Sequence, residues 1–180
     1  MFQQIYDAVY RMDLWAAAAI FAALILIWSV LGALFRQRMQ IVGIVFAIVS
    51  AGLILYITLF SRHSGWISHE IMPFSTITLG AERPGLYRAA IMNIFLFVPL
   101  GMALPYIFKT KTRNRLLLTV LIGAGLSVLI ETTQHFLRVG MTQTDDVICN
   151  TLGAAIGMCA YPLSLLWIRL RERKKPNNDR

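Results

Sequence analysis

The residues best suited to chemistry in this sequence are polar side chains that interrupt its last two apolar segments. Four of them follow one another at i, i+3, i+4 and i+7 and so share one face of a helix: Glu131, Gln134, His135 and Arg138. Three more open the next apolar segment: Asp145, Asp146 and Asn150. Carboxylates, amides and an imidazole at such spacing can bind a polar ligand or transfer protons. This polar set is therefore where we look for function.

Glu131 is the most informative member of the set, because a carboxylate within a membrane helix costs a few kcal/mol unless it is compensated. Arg138 lies about 10 Å further along the same helix, which is too far for a direct pair. We therefore expect the partner of Glu131 to come from another helix, and Arg88 and Asn150 are the residues that could supply it.

Three interpretations of the polar set are open. It can be a structural salt-bridge network, in which Asp145 and Asp146 cap a helix and interact with its dipole. It can be a pocket for a lipid headgroup, a sugar or a peptide, since its hydrogen-bonding groups outnumber those that capping requires. It can also be catalytic, with Glu131 and His135 acting as acid and base.

The composition shows that the scaffold around this set is a membrane protein. Of the 180 residues, 57% are hydrophobic and 14% are charged, and the mean hydropathy is +0.63. Soluble domains have roughly 45–50% apolar and 25% charged residues. The net charge of +8 does not indicate a nucleic-acid partner, because the basic residues gather beside membrane ends without interleaved aromatic residues. We expect an all-α integral membrane protein.

Five apolar segments are each long enough, at 1.5 Å per residue, to cross about 30 Å of hydrocarbon. They comprise residues 14–35, 39–60, 89–108, 116–137 and 147–168. The first is a retained helix rather than a cleaved signal peptide, since its apolar run is too long and Arg36 and Arg38 end it. Pro99 and Pro105 predict a kink or an unwound turn near Gly101 in the third.

Three segments accompany this five-helix domain of residues 14–170. Residues 1–13 have an amphipathic pattern, which predicts a short helix in the membrane interface. Residues 61–88 form the longest loop. Its residues His63, His69 and Glu70 lack a second ligand pair, so we expect no metal site, and we expect no cofactor. Residues 171–180 form a basic tail, which predicts contact with anionic lipid.

Lys and Arg divide unequally between the two sides of the predicted bundle. Twelve belong to the loops after the first and third spans and to the C-terminal tail, whereas five belong to the N-terminal segment and the other loops. The positive-inside rule assigns the twelve to the cytoplasm, so the N-terminus is outside and the C-terminus inside. The polar ends of the last three spans then converge at the outer leaflet, where Arg88 and Asn93 join the polar set.

Two further patterns concern packing and anchoring. Gly153 and Gly157 form a G-x-x-x-G motif, which predicts close helix packing within the bundle rather than dimerisation. Aromatic residues near the ends of the spans predict anchors at the headgroup level rather than ligand contacts. They are Trp15, Trp66, Tyr106, Tyr161 and Trp167.

Four stretches, in this order, resemble the VanZ-like family of bacterial membrane proteins. They are Ile71 to Ile77, Arg88 to Gly101, Glu131-x-x-Gln134 and Asp145 to Gly153. With their surroundings they span residues 71–157, about half of the chain. The family has an Arg only a few residues before the Asp that opens its last motif, whereas Arg138 lies seven residues before Asp145. The first two spans match the family only in being apolar.

The resemblance implies a multi-pass protein of the bacterial cell membrane. The founding member of the family confers low-level resistance to teicoplanin, a glycopeptide antibiotic that carries a lipid tail, and no settled biochemical activity comes with the family. An outer polar pocket fits a protein surrounded by membrane lipids that binds a lipid-linked cell-wall precursor or a glycopeptide. The alternatives are an enzyme that modifies a surface lipid or glycan, and a small proton-coupled transporter or flippase.

Overall fold

The computed structural model describes residues 13–60, 69–70, 84–137 and 142–173. Six α-helices make up most of this part of the chain. In order they are α1 Leu14–Leu34, α2 Met39–Leu55, α3 Pro84–Ile107, α4 Thr112–Leu137, α5 Thr144–Gly157 and α6 Ala160–Arg173. A π-helical turn, Tyr56–Phe60, continues α2.

Five helical units are long and apolar enough to cross a membrane, as the sequence predicts. They are α1, α2 with its π-helical turn, α3, α4, and α5 together with α6. In a helix the backbone N–H and C=O groups form hydrogen bonds with one another. A segment inside a membrane needs this, because the hydrocarbon contains no water that could bond to these groups. The prediction of an all-helical protein is confirmed, with five helical units in the described residues that are long and apolar enough to be membrane spans. The orientation of the two ends stays a prediction.

The third span differs from its sequence-based description in two respects. Its helix begins at Pro84 and its membrane-spanning part at Tyr87, rather than at residue 89, and the helix passes through Pro99 and Pro105 without a break. The unwound turn that these prolines predict near Gly101 is therefore not formed. A neighbouring helix contacts the backbone close to these prolines, since the indole Nε1 of Trp28 donates to the carbonyl of Met102 over 3.0 Å.

The fifth span, by contrast, is interrupted. α5 ends at Gly157 and α6 begins at Ala160, with a turn at Met158 and Cys159 between them. Pro162 explains the position of this break, because a proline has no N–H to donate to the residue four positions earlier and is tolerated in the first turn of a helix. The sequence contains this signal, although the prediction treats 147–168 as one continuous helix.

Several predicted segments fall outside the described residues. The interfacial helix of residues 1–13 does so except for Asp13, and the loop of residues 61–88 does so except for residues 69–70 and the start of α3. Of the basic tail, residues 171–173 belong to α6, and residues 174–180 are not described.

α3 is the central helix of the bundle. Over its most apolar 18 residues 56% of positions are buried, against 17% in α1. One core joins α3 to α2 and α4 and includes Ile54, Phe97, Leu100, Leu104 and Ile130. A second core joins α3 to α1 and α6 and consists of Ile25, Val98, Met102 and Ala160. Because α3 takes part in both cores, it packs against α1, α2, α4 and α6.

α5 packs against α3 with its backbone in direct contact. A Cβ atom at Gly153 would overlap the carbonyl of Ile94, and one at Gly157 would overlap the carbonyl of Val98. Both glycines of the G-x-x-x-G motif therefore face α3, which confirms that the motif serves packing within the bundle.

A short parallel strand pair joins two parts of the chain at one end of the bundle. β1 His69–Glu70 pairs with β2 Thr142–Gln143, so that His69 lies opposite Thr142 and Glu70 opposite Gln143. β2 directly precedes α5. The pair therefore brings part of the long loop to the end where α4 finishes and α5 starts.

Candidate functional site

Six polar residues of the predicted set are buried where α3 and α5 begin and α4 ends. Each is 7% exposed or less. They are Asn93 of α3, Glu131 and Gln134 of α4, and Asp145, Asp146 and Asn150 of α5. A buried carboxylate or amide is costly unless it is paired or hydrogen-bonded. We call these six residues the polar cluster.

The contact between α4 and α5 sets the depth of the cluster. Asn150 Nδ2 donates to Ser127 Oγ over 2.8 Å. One turn deeper in the bundle, Gly123 of α4 faces Ala154, which lies one turn after Asn150 in α5. The two helices are therefore antiparallel and in step. One turn towards the end of the bundle, the same register places Glu131 and Asp146 at equal depth on facing helices.

The contact between α3 and α5 brings an arginine to this level. Gly153 meets the backbone of Ile94. Arg88 precedes Ile94 by six residues in α3, and Val147 precedes Gly153 by six residues in α5. Each separation is about 9 Å along its helix. Arg88 is therefore level with the residue next to Asp146, and its side chain is half-buried.

The buried carboxylates of the cluster are not isolated charges. Glu131, Asp145, Asp146 and Arg88 each make a hydrogen bond, an ion pair or another electrostatic interaction. Asp145 and Asp146 also lie in the first turn of α5, where the helix dipole favours negative charge. Among the described residues at this end there are three buried carboxylates and one Lys or Arg side chain, that of Arg88. The described part of the site is therefore rich in hydrogen-bond acceptors.

Gln134 is the most deeply buried member of the cluster, with 1% of its surface exposed. Its Nε2 donates over 2.9 Å to the carbonyl of Thr58, in the π-helical turn. A carbonyl can only accept, so this bond fixes the orientation of the amide. Gln134 Oε1 and Asn150 Oδ1 are both buried and have no hydrogen-bond partner among the described residues. A buried acceptor left unsatisfied costs about 1–3 kcal/mol, so a donor supplied by a ligand would be stabilised here.

His135 differs from the six residues of the polar cluster in that it is not buried. Its side chain is exposed and its ring lies 5.8 Å from that of Phe136, whereas Glu131, one turn earlier, is buried. The two members of the predicted acid and base pair therefore differ in exposure, and their joint role in catalysis stays a prediction. Arg138 lies outside the described residues.

Two residues contribute to the cluster without belonging to the predicted set. Ser127 lies four residues before Glu131, so extending the helical series by one turn finds it. Thr58 contributes a backbone carbonyl, which every residue has, and so its role has no signal in the sequence. Within the described ranges no three His, Cys, Asp or Glu side chains are grouped as metal ligands.

The aromatic residues at the opposite end differ from the predicted anchors. Tyr106 is 8% exposed, and its hydroxyl donates to the carbonyl of Ala160 over 3.3 Å. Trp167 Nε1 donates to Ser29 Oγ over 3.1 Å. The anchor prediction is wrong for Tyr106, because its hydroxyl finds a partner inside the bundle. Trp15 is 83% exposed, as an anchor should be, and Trp66 is not described.

Comparison with known proteins places this architecture in a family. The model of the VanZ/LLP1 family matches residues 20–167, which is most of the chain. Protein VanZ of Enterococcus faecium is 35% identical over 80 residues, which cover 44% of this chain and 48% of VanZ. The match thus spans about half the length of that relative. No solved structure matches the chain significantly. The extent of the family match shows that this five-span protein belongs to the VanZ/LLP1 family.

Proposed function

We propose that the polar cluster binds the polar part of a lipid-linked cell-wall precursor or a glycopeptide at the outer leaflet, and that this binding confers resistance to teicoplanin. Membership of the VanZ/LLP1 family and the similarity to VanZ of Enterococcus faecium support the link to resistance. The cluster supports a binding role through its chemistry.

The observation that carries the proposal is a pair of buried amide oxygens that have no hydrogen-bond partner in the described part of the chain. Gln134 Oε1 and Asn150 Oδ1 are unsatisfied among the described residues, and three buried carboxylates belong to the same cluster. Within the described ranges, the one buried side-chain donor atom that also lacks a hydrogen bond is Nε of Arg88, a residue that makes another interaction. Such a site favours a ligand that presents donors, namely hydroxyl, amide N–H or ammonium groups. Sugars and peptides carry many of these groups, and both cell-wall precursors and glycopeptides are built from them.

The membrane position of the cluster supports a ligand with a lipid tail. The positive-inside rule predicts that the cluster lies at the outer end of the bundle. A lipid tail inserted beside the protein adds about 0.8 kcal/mol of membrane affinity for each buried CH₂ group. The tail would bring the polar part of its own molecule to the depth of the cluster, which favours teicoplanin over glycopeptides without a tail.

The test is expression in a susceptible Gram-positive host, with the inhibitory concentration of each drug as the readout. We expect more protection against teicoplanin than against a glycopeptide that lacks the tail. Asp146→Asn and Asn150→Leu should reach the membrane at normal levels and return teicoplanin sensitivity to that of cells with an empty vector. The matched controls are Asp13→Asn and Asn114→Leu, at exposed positions outside the cluster, which should keep the protection.

Two results would contradict the proposal. Equal protection against both drugs would remove the role of the lipid tail. Full protection by both cluster variants at normal membrane levels would remove the role of the cluster, and the family would then be linked to resistance by another part of the molecule.

A further inference from the structure

A second site lies at the end of the bundle opposite the polar cluster. It is a pocket of about 190 Å³ between the connection that joins α1 to α2, the end of α3, the start of α4 and one side of α6. Three basic side chains line it, Arg36, Lys109 and Arg115, and no Asp or Glu is among the described residues of its wall. We call it the basic pocket. The site is independent of the function proposed above, because it shares no residue with the polar cluster.

Arg115 is held rigidly in the wall of this pocket. Its Nε donates to the carbonyl of Thr110 over 2.7 Å, and its Nη1 donates to the carbonyl of Pro105 over 3.1 Å. The guanidinium also lies 5.1 Å from the centre of the Tyr161 ring, a distance at which the cation and the ring attract. A guanidinium has five N–H donors, and these two bonds use two of them. The remaining donors are oriented in advance for an acceptor.

The polar surroundings of the pocket do not repel an anion. The last carbonyls of α3 carry the negative end of the helix dipole and would oppose anion binding. Arg115 covers the carbonyl of Pro105, and Gln40 Nε2 donates to the carbonyl of Ile107 over 3.2 Å. These bonds offset the dipole, so the three cations determine the local potential. Clefts lined by charge of one sign concentrate ions of the opposite sign.

Arg36 and Lys109 are the available cations of the pocket. Both side chains are exposed, and no hydrogen bond or ion pair engages either of them within the described part of the chain. The positive-inside rule explains why basic residues occur at this end, but it does not require three of them to surround one concave space. Their arrangement therefore points to a bound anion.

The size and depth of the pocket indicate what kind of anion it accepts. A cavity of about 150 Å³ holds a molecule of the size of benzene, so this pocket admits one small group and not a whole lipid or nucleotide. It lies at the ends of the spans, where the phosphates of a lipid leaflet also lie. Basic pockets between membrane helices on the cytoplasmic side are suited to lipid headgroups.

We propose that the basic pocket binds the phosphate group of an anionic phospholipid in the leaflet that faces the cytoplasm. Arg115 is the fixed donor, and Arg36 and Lys109 close on the phosphate from the loops before α2 and α4. The acyl chains of the lipid remain in the bilayer beside the bundle. The lipid thus joins the connections at this end of the protein.

The test uses the purified full chain in a non-ionic detergent, titrated with phosphatidylglycerol or phosphatidylcholine of the same acyl chains and followed by native mass spectrometry. The pocket variant is Arg36→Gln with Lys109→Gln. Its matched control is Lys111→Gln with Arg113→Gln, which removes the same charge from exposed residues of the same region that do not line the pocket. We expect the pocket variant to bind phosphatidylglycerol about tenfold more weakly, and the control to bind it within about twofold of the original chain.

One further variant and two contrary outcomes make the result decisive. The variant Arg36→Lys with Lys109→Arg keeps the charges and should keep the affinity, which excludes a general loss of folding. An equal loss in the pocket variant and its control would overturn the proposal, because it would indicate diffuse attraction to the membrane. Binding of inorganic phosphate at the pocket without any preference for phosphatidylglycerol over phosphatidylcholine would also overturn it, in favour of a soluble phosphate compound.

Discussion

The two ends of this bundle carry opposite charge and hold it in different ways. The polar cluster places carboxylates and amides at positions that are 7% exposed or less, and leaves two amide oxygens unsatisfied within the described residues. The basic pocket places Arg36 and Lys109 in exposed positions, and its one half-buried cation, Arg115, is bonded to backbone carbonyls. Buried polar groups lower stability unless they are satisfied, whereas exposed charges cost little. The cluster is therefore the end where substitutions should have large and specific effects.

The largest effect should come from the packing that holds both ends in place. Gly153→Leu would drive a side chain into the carbonyl of Ile94, and α5 could not approach α3. Overpacking typically costs about 1–3 kcal/mol, and a contact with backbone leaves little room for relaxation, so we expect a loss at or above the top of that range. Membrane levels and the midpoint of thermal unfolding in detergent measure it.

The control for this prediction is Gly125→Leu in α4. A Cβ at Gly125 would meet no atom within 4 Å, so this variant should accumulate and unfold as the original chain does. If Gly153→Leu were as stable as Gly125→Leu, the close approach of α3 and α5 would not be what holds the two ends at their present depth.

Glu131→Leu should have the next largest effect. Glu131 is buried and interacts with another group, so its removal strands that group without a partner. A buried group left without its partner costs about 1–3 kcal/mol. Glu172→Leu makes the same chemical change at an exposed position of α6, where we expect less than about 0.5 kcal/mol. The difference between the two unfolding midpoints is the measurement, and equal tolerance at both positions would remove Glu131 from the site.

Gln134→Leu separates ligand binding from structural support. The change loses one hydrogen bond to the Thr58 carbonyl, but it also removes the unsatisfied Oε1 atom. The two effects oppose each other, so we expect a net change in the free energy of unfolding of less than about 1 kcal/mol. Protection against teicoplanin should nevertheless be lost. Thr132→Leu, on the exposed side of α4, is the control and should keep both properties.

A different result for Gln134→Leu would favour the structural interpretation of the cluster. If the variant lost several kcal/mol of stability and the loss of protection followed from lower membrane levels, the amide would serve the fold. Protection retained at normal levels would show that the unsatisfied oxygen has no part in resistance.

Much of the fold could be predicted because hydrophobic length is a strong signal in a membrane protein. The spans follow from uninterrupted apolar runs, and the polar face of α4 follows from the spacing of Glu131 and Gln134. The same spacing groups His135 with them, and the structure exposes it. Residues spaced by three or four positions lie on the same broad side of a helix, but the spacing does not predict which of them is buried. The packing of α5 against α4 determines that.

Most of the details that the sequence did not predict depend on contacts between distant segments, and one, the break near Pro162, depends on a local signal that is ambiguous. Pro162 signals the break between α5 and α6, but a proline two residues into a helix also occurs in continuous apolar runs. The pairing of β1 with β2 and the bond from Gln134 to the Thr58 carbonyl join residues more than 70 positions apart. Backbone partners of this kind have no side-chain pattern that a sequence could reveal. The basic pocket was hidden because its cations come from distant parts of the chain: Arg36 lies between α1 and α2, whereas Lys109 and Arg115 lie just before and at the start of α4.

The smallest effect is expected from single cysteine substitutions, which test the orientation of the bundle in the membrane. The comparison of the two ends depends on that orientation. The charge distribution predicts that the basic end faces the cytoplasm, because twelve of the 17 Lys and Arg residues are on its side. In a variant whose two cysteines, Cys149 and Cys159, are replaced, a single cysteine at Ser64 or Lys111 should leave stability and function unchanged. On intact cells a membrane-impermeant thiol reagent should label Ser64→Cys and spare Lys111→Cys, and both should react after the membrane is opened. The reverse pattern would move the polar cluster to the cytoplasmic side, out of reach of an antibiotic outside the cell, and would place the basic pocket in the outer leaflet.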